Sequence, residues 1–345
     1  MPIKSSGTLS FSNIRNEAGP AGTSSVSLSS YRGAMAGIPL SGPIEMSDFY
    51  GKAFLVTEII TEDTVWSPKI NFARFIHIFV VGAGGSGGAS WPKRNEGTIG
   101  TTDGVAASSG GAGAGVAYSR ISSASASTAN IVIGSGGASV ITTLEGNAQY
   151  GNSGTNTTFI GSGLTMIGGG GGRGQAATNA DGQSSSVSTP ASTGGVASGG
   201  NISNFTGGQG GGCYIIGTGV GRAAAGGGAI AFSSDHDSLK NAATASINFG
   251  NVGTGTGIVT TPGSKVSDYN TYPYILSSYI ENERSQTPVL DSSITDFDAT
   301  NGSASSGVQS VNAAYGAGSG GSCSETNPVR SGKGGDGVVI IVYEI

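Results

Sequence analysis

The chain has 345 residues, 64 of them glycine, and only 11% are charged, against about 25% in ordinary soluble domains. Its net charge of −5 argues against a nucleic-acid surface, and no Lys/Arg cluster overrides it. No stretch of about 18 apolar residues offers a membrane span. Ser, Thr, Asn and Gly fill the polar positions, which is the vocabulary of strands, turns and extended chain.

The first fifty residues hold an internal repeat. "SGTLSFSNI" at 6–14 and "SGPIEMSDF" at 41–49 share Ser-Gly, alternating apolar residues, a second Ser, and then Asn or Asp before an apolar residue. Leu9 and Phe11 match Ile44 and Met46 at period two, which predicts two short half-buried strands, each followed by a turn at Ser12-Asn13 or Ser47-Asp48. Fifty residues bury little surface alone, so this module is expected to dock on a partner or another subunit through Leu9, Phe11, Ile14, Ile44, Met46 and Phe49. The alternative is a hairpin packed on the chain's own main domain. The opening residues also lack the apolar core of a secretory signal.

From residue 53 the pattern changes. Strands are predicted at 53–60, 72–81, 115–121, 130–133, 164–168, 213–217, 228–232 and 337–345. In "FIHIFVV" His77 shares a face with Phe75, Phe79 and Val81 and reads as a sheet residue rather than a catalyst. Behind that strand, "FVVGAGGSGG" places Gly82, Gly84 and Gly87 in the dinucleotide pattern G-x-G-x-x-G, with Asp103 where a ribose ligand would sit. At this glycine content about two matches arise by chance, and the pattern recurs at 169, 316 and 332. The segment after the first match contains Pro92, Gly97, Gly100 and Gly104, which oppose the helix that would carry a pyrophosphate.

The glycine tracts keep no collagen register. A flexible linker is the default for such composition, yet strand-like pieces interrupt the tracts. Packed extended glycine helices are the other solution, with N–H and C=O groups paired between segments. Cys213 and Cys323 are too few for a disulfide framework and are read as unpaired thiols or one bridge. Asp235-His236-Asp237 and the Asp296–Gly302 run lack the further ligands a metal needs. No nucleophile elbow, zinc-helix motif or Walker lysine occurs, so no catalytic residue, cofactor or metal is expected.

Residues 264–301 contain no glycine. Within them lie Asp268, Tyr269, Tyr272, Tyr274, Tyr279, Glu281 and Glu283. Tyrosine rings stack on sugar C–H faces and carboxylates accept hydroxyl hydrogen bonds, so this group suits carbohydrate recognition. A conventional folded insert, with its tyrosines buried or at a subunit interface, is the other reading.

Together "FVVGAGGSGG", "GGAGAGVAYSRI", "NIVIGSGGAS", "TTFIGSGLTMIGGGGG" and "GGDGVVIIVYEI" resemble the glycine-rich domain of tailed-phage tail proteins. The opening repeat is similar to the short N-terminal segment of phage virion proteins. The resemblance implies an all-β fold with polyglycine or polyproline-II-like segments behind a small N-terminal β module. It implies an attachment module at 1–52 and a glycine-rich domain at 53–345, with an exposed insertion at about 233–310. The implied function is a tail-fibre or baseplate-attached adhesin of the virion tail, assembled in the host cytoplasm. Implied partners are other tail or baseplate proteins and a host surface glycan or outer-membrane protein, with homotrimers common in the family. The alternative is a structural baseplate or tail-tip component without receptor contact.

Overall fold

A computed structural model describes residues 7–10, 14, 43–50, 55–70, 73–91, 105–144, 146–178, 187–190, 192–217, 222–225, 246–249, 255–258, 315–323 and 329–344. Nine strands build a sandwich. They are β1 (Leu55–Ile60), β2 (Thr64–Trp66), β3 (Phe75–Val81), β4 (Val116–Ser122), β5 (Ala129–Val132), β6 (Thr157–Gly161), β7 (Leu164–Gly168), β8 (Ser203–Phe205) and β9 (Val338–Glu344). One sheet runs β1-β9-β3-β4-β8 and the other β7-β6-β5-β2, both antiparallel throughout. The strands are all-β vocabulary in action: β3 and β9 are rich in Val, Ile and Phe and pair over seven residues, from Val81 with Val338 to Phe75 with Glu344.

The two faces of the first sheet explain why these strands are apolar on both sides. Ile76, Ile78, Val80, Val339, Ile341 and Tyr343 pack toward the second sheet with Trp66, Ile131, Phe159 and Met166. Phe79, Val81, Val116, Val338, Ile340 and Val342 form a second core on the opposite face with Ala114 and Phe205. A strand buried on both faces loses the polar alternation of a half-exposed one. The β6–β7 hairpin closes through Ser162 (φ 53°) and Gly163 (φ 72°), the left-handed pair that matches strand twist. The Ser162 hydroxyl accepts from Ser127 N–H at 3.0 Å and donates to Ser127 C=O at 2.8 Å.

Beyond the sandwich the strands run straight into nine glycine-rich tracts. Numbered along the chain they are 82–88, 109–115, 134–140, 151–156, 169–175, 192–198, 206–212, 316–321 and 331–337. Their backbone bonds run to other tracts, and each tract changes partner with a period of three. In tract 1 the N–H groups of Gly82, Gly85 and Gly88 donate to Gly115, Ala112 and Ser109 of tract 2, at 2.9–3.1 Å. Ala83 and Ser86 donate to Thr155 and Asn152 of tract 4, and Gly84 donates to Gly335 of tract 9. The carbonyls of Ala83 and Ser86 accept from Gly171 and Gly174 of tract 5. Those of Gly85 and Gly88 accept from Ser319 and, just past tract 8, Ser322; that of Gly84 accepts from Gly137 of tract 3. Three residues per turn with all bonds external is the signature of a polyproline-II-type helix.

Tracts 2, 5, 4, 3, 9 and 8 close a ring around tract 1, because each is also bonded to the next. The closing bonds are Ser109→Gln175, Gly154→Gly171, Thr155→Ser135, Gly334→Gly137, Gly335→Ala317 and Gly111→Ser319, all 2.8–3.0 Å. Around the ring, tracts that accept from tract 1 alternate with tracts that donate to it. Every residue of tract 1 is buried. The tracts are therefore ordered helices locked in a lattice, not linkers.

Glycine is required there for space. Among the described tract glycines only Gly316 has positive φ, so backbone freedom is not the reason. A methyl placed at Gly82, Gly84, Gly85 or Gly87 would collide with a backbone carbonyl of a neighbouring tract, such as Ala317 C=O for Gly84. Where a carbonyl is missing, a side chain substitutes. Ser319 Oγ accepts from Gly87 N–H at 3.0 Å and donates to Gly332 C=O at 2.6 Å. Asp336 Oδ1 likewise accepts from Gly136 N–H at 2.7 Å.

One expectation is corrected in the N-terminal module. Met46–Phe49 is a 3-10 turn, not a strand. The Asp48 carboxylate reaches back to accept from Glu45 N–H at 2.8 Å, and Asp48 N–H donates to Glu45 C=O at 3.1 Å. A capping acid three residues on therefore outcompetes the period-two pattern. Residues 7–10, around Leu9, are likewise not in a strand.

Candidate functional site

Bond directions fix the polarity of the molecule. Tracts 1 and 2 are antiparallel, since partner numbers fall from Gly115 to Ser109 as donors rise from Gly82 to Gly88. Applied throughout, the same test makes tracts 1, 3, 5, 7 and 8 run away from the sandwich and tracts 2, 4, 6 and 9 run toward it. Outward runs end on short pairs at the far pole: Ala89–Ser90 with Ser322–Cys323 and Ala148–Gln149, and Ile141–Thr142 with Val329–Arg330. Val105–Ser108, between Ala176–Thr178 and Arg222–Ala225, lies there too. At the near pole, Leu55 pairs with Glu344 at the end of the sandwich remote from the lattice. The main fold thus begins at Leu55 and reaches Glu344 at one pole, while the described short strands that follow the outward tracts lie at the other.

The fingerprint glycines have no free donors for a phosphate. Gly82 and Gly84 N–H groups are bonded to Gly115 and Gly335 carbonyls, and Gly87 N–H to Ser319 Oγ. The described residues directly after them, Ala89–Ser90, are a strand and not a helix. In the recurrence of the pattern at 332, Lys333 Nζ is held by Asp336 at 2.8 Å.

His77 is a sheet residue, 2% exposed. Its Nε2 lies 3.2 Å from Glu344 Oε2 and its Nδ1 2.8 Å from Tyr118 Oη. A carboxylate only accepts, so Nε2 carries the proton and Nδ1 accepts from the Tyr118 hydroxyl. Tyr118 in turn stacks on Phe79, ring centroids 4.5 Å apart. Burial pushes the imidazole's pKa below its usual value, with the Glu344 carboxylate opposing the shift, and burial pushes the Tyr118 phenol up. A second polar cluster joins β1 to β9. Glu58 accepts from Tyr343 Oη at 3.1 Å and from Trp66 Nε1 at 3.3 Å, and pairs with Lys69 at 2.6 Å. Burial, first, raises the Tyr343 pKa. Both clusters tie strands together. Among the described residues no group of three or more His, Cys, Asp and Glu side chains converges on a metal position.

Of the attachment residues, Ile14 and Phe49 are fully buried, while Leu9, Ile44 and Met46 are half-buried. The two repeats meet where the Tyr50 hydroxyl donates to Gly7 C=O. Phe11 lies outside the described residues, as do Asp268, Tyr269, Tyr272, Tyr274, Tyr279, Glu281 and Glu283, which fall between Ile258 and Tyr315.

The described surface near the far pole contributes a pair that sequence reading passed over. Tyr150 is 51% exposed, and the Arg173 guanidinium stands over its ring, 5.2 Å from the centroid. Leu144, 65% exposed, and Ile141, 40% exposed, belong to the same connection. The signal was present: Arg173 is a lone cation inside "GGGGRG", a run whose other five residues are all glycine.

Among curated proteins no relative matches the sequence. The model of a family described as a glycine-rich domain matches residues 61–344. That span takes in all nine tracts and eight of the nine sandwich strands, β1 alone preceding it. The chain therefore belongs to the glycine-rich domain family.

Proposed function

We propose that the protein is a phage virion component, a tail-fibre or baseplate-attached adhesin that binds a host cell-surface structure. The observation that carries this reading is the separation of the poles. The main fold begins at Leu55, at the near pole, whereas the described short strands where the outward tracts end lie at the far pole. An attached base and an outward-facing set of loops on a stiff core is the arrangement an adhesin needs. The core pre-orders the loops, so little ordering cost falls on binding, and several copies multiply weak contacts. The tyrosine- and acid-rich group from Asp268 to Glu283 supplies chemistry suited to a glycan. The reading involves binding without turnover, attachment through the N-terminal module, and a trimer as the working assembly.

The test is gold-labelled antibody microscopy of particles carrying the protein. Label at the outer ends of tail fibres is the expected result. Label confined to the tail core or head would overturn the adhesin reading in favour of a structural component. As a second test, Tyr272→Ala with Tyr274→Ala should abolish host adsorption while leaving particle assembly intact.

A further inference from the structure

We propose that Tyr150 and Arg173 form a contact site for an anionic sugar, a hexose ring bearing a carboxylate or phosphate. The inference deepens the host-binding reading and rests on it, but names residues on the scaffold rather than in the glycine-free segment. Tyr150 presents an exposed aromatic ring. Arg173 is exposed as well, and no carboxylate of the described residues lies within ion-pair distance. An exposed ring offers a surface for the C–H face of a sugar, and the guanidinium fork beside it matches a carboxylate or phosphate in a bidentate way.

The backbone around both residues is fixed. Gly151, next to Tyr150, donates to Gly174 C=O at 2.9 Å. Arg173 sits between Gly172, which donates to Thr193 C=O at 2.9 Å, and Gly174, which donates to Ser86 C=O at 2.8 Å. Arg173 is therefore carried on tract 5 and Tyr150 directly precedes the bonded tract 4, so chiefly side-chain motion is lost when a ligand binds. Its position at the loop-bearing end places it on the side of the molecule that would meet a cell surface.

The test uses the purified full chain and four probes: alginate oligosaccharide for carboxylate sugars, lipopolysaccharide vesicles for phosphate sugars, the same vesicles after dephosphorylation, and neutral dextran. The chain is expected to bind at least one anionic probe about tenfold more tightly than dextran, with affinity falling as salt rises. Preference for alginate or for intact vesicles identifies the anion. Tyr150→Ala and Arg173→Ala should each weaken that binding about tenfold with melting curves superimposed on the parent, and Tyr150→Phe should retain most of it. Failure to bind either anionic probe, or variants with unchanged affinity, would overturn the site. The two readings separate in an adsorption-blocking assay. If both alanine variants block particle adsorption as well as the parent, the adhesin reading stands and this site falls, with the Asp268–Glu283 segment as the remaining candidate for the host contact. If the parent binds the sugar through this pair yet blocks nothing, the site stands and the adhesin reading falls.

Discussion

A methyl group at position 84 and one at position 163 test two different reasons for being glycine. Gly84 has ordinary backbone angles but no room, since a Cβ would run into Ala317 C=O. Gly163 has room, with nothing within 4 Å, but a φ of +72°. Gly84→Ala is expected to cost more than about 3 kcal/mol, because a backbone neighbour cannot step aside as a side chain does. Gly163→Ala should cost only about 1 kcal/mol. Denaturant unfolding of the two variants checks the ordering, and equal losses would mean the lattice yields. His77 allows a pH experiment. Its folded pKa lies below the unfolded value, so between the two the unfolded chain holds the extra proton. Its contribution to stability is full above about pH 6.5 and falls as pH drops below that value toward the folded pKa. The parent should lose stability between pH 7.5 and 5.5 by more than His77→Gln does, with denaturation midpoints as the readout. The sheet role of His77 was legible from its place in "FIHIFVV", whereas its partners were not. Tyr118 and Glu344 are 41 and 267 residues away.

At the scale of elements, strands with apolar residues on both faces were legible because burial on two sides leaves an unbroken run. β2, β6 and β8 were not, being short or rich in Thr, Ser and Asn, whose strand character comes from their neighbours. The order in the glycine tracts was readable only as one of two options. A linker and a lattice have the same composition, and what separates them is register between distant segments, such as Gly84 with Gly335. Tracts 8 and 9 with β9 supply two sides of the ring around tract 1 and the strand between β1 and β3. A chain ending at residue 315 should therefore show no cooperative thermal transition, although it keeps seven tracts. Sharp melting of that truncation by circular dichroism would mean the ring is dispensable.

For the whole molecule, the lattice predicts an unusual map of protection. Amides of residues 82–88 belong to no conventional helix or strand, yet all are buried and those of Gly82 through Gly88 are bonded to other tracts. Their hydrogen exchange should be as slow as that of β3 and β9, the slowest class in the chain, which mass spectrometry of exchanged peptides reads directly. Fast exchange there would reduce the tracts to a loose coat on the sandwich. The binding segment proposed from sequence falls outside the described residues, and the meeting of Tyr150 with Arg173 was hidden because it depends on the register of tract 4, which Tyr150 precedes, with tract 5.

The threefold repeat of bonds also governs how such a chain can change length. Adding one residue inside a tract turns every later residue of it by about 120°, which swings side-chain-bearing faces into slots that admit only hydrogen atoms. Adding three restores each face to its old neighbour and merely lengthens the column by about 9 Å. Insertions and deletions within the core are thus counted in threes and must be matched in the columns alongside, whereas the turns at the far pole carry no such arithmetic. A gene built this way has a rigid reading grid through its middle and free text between its columns, where length can change without rewriting the fold.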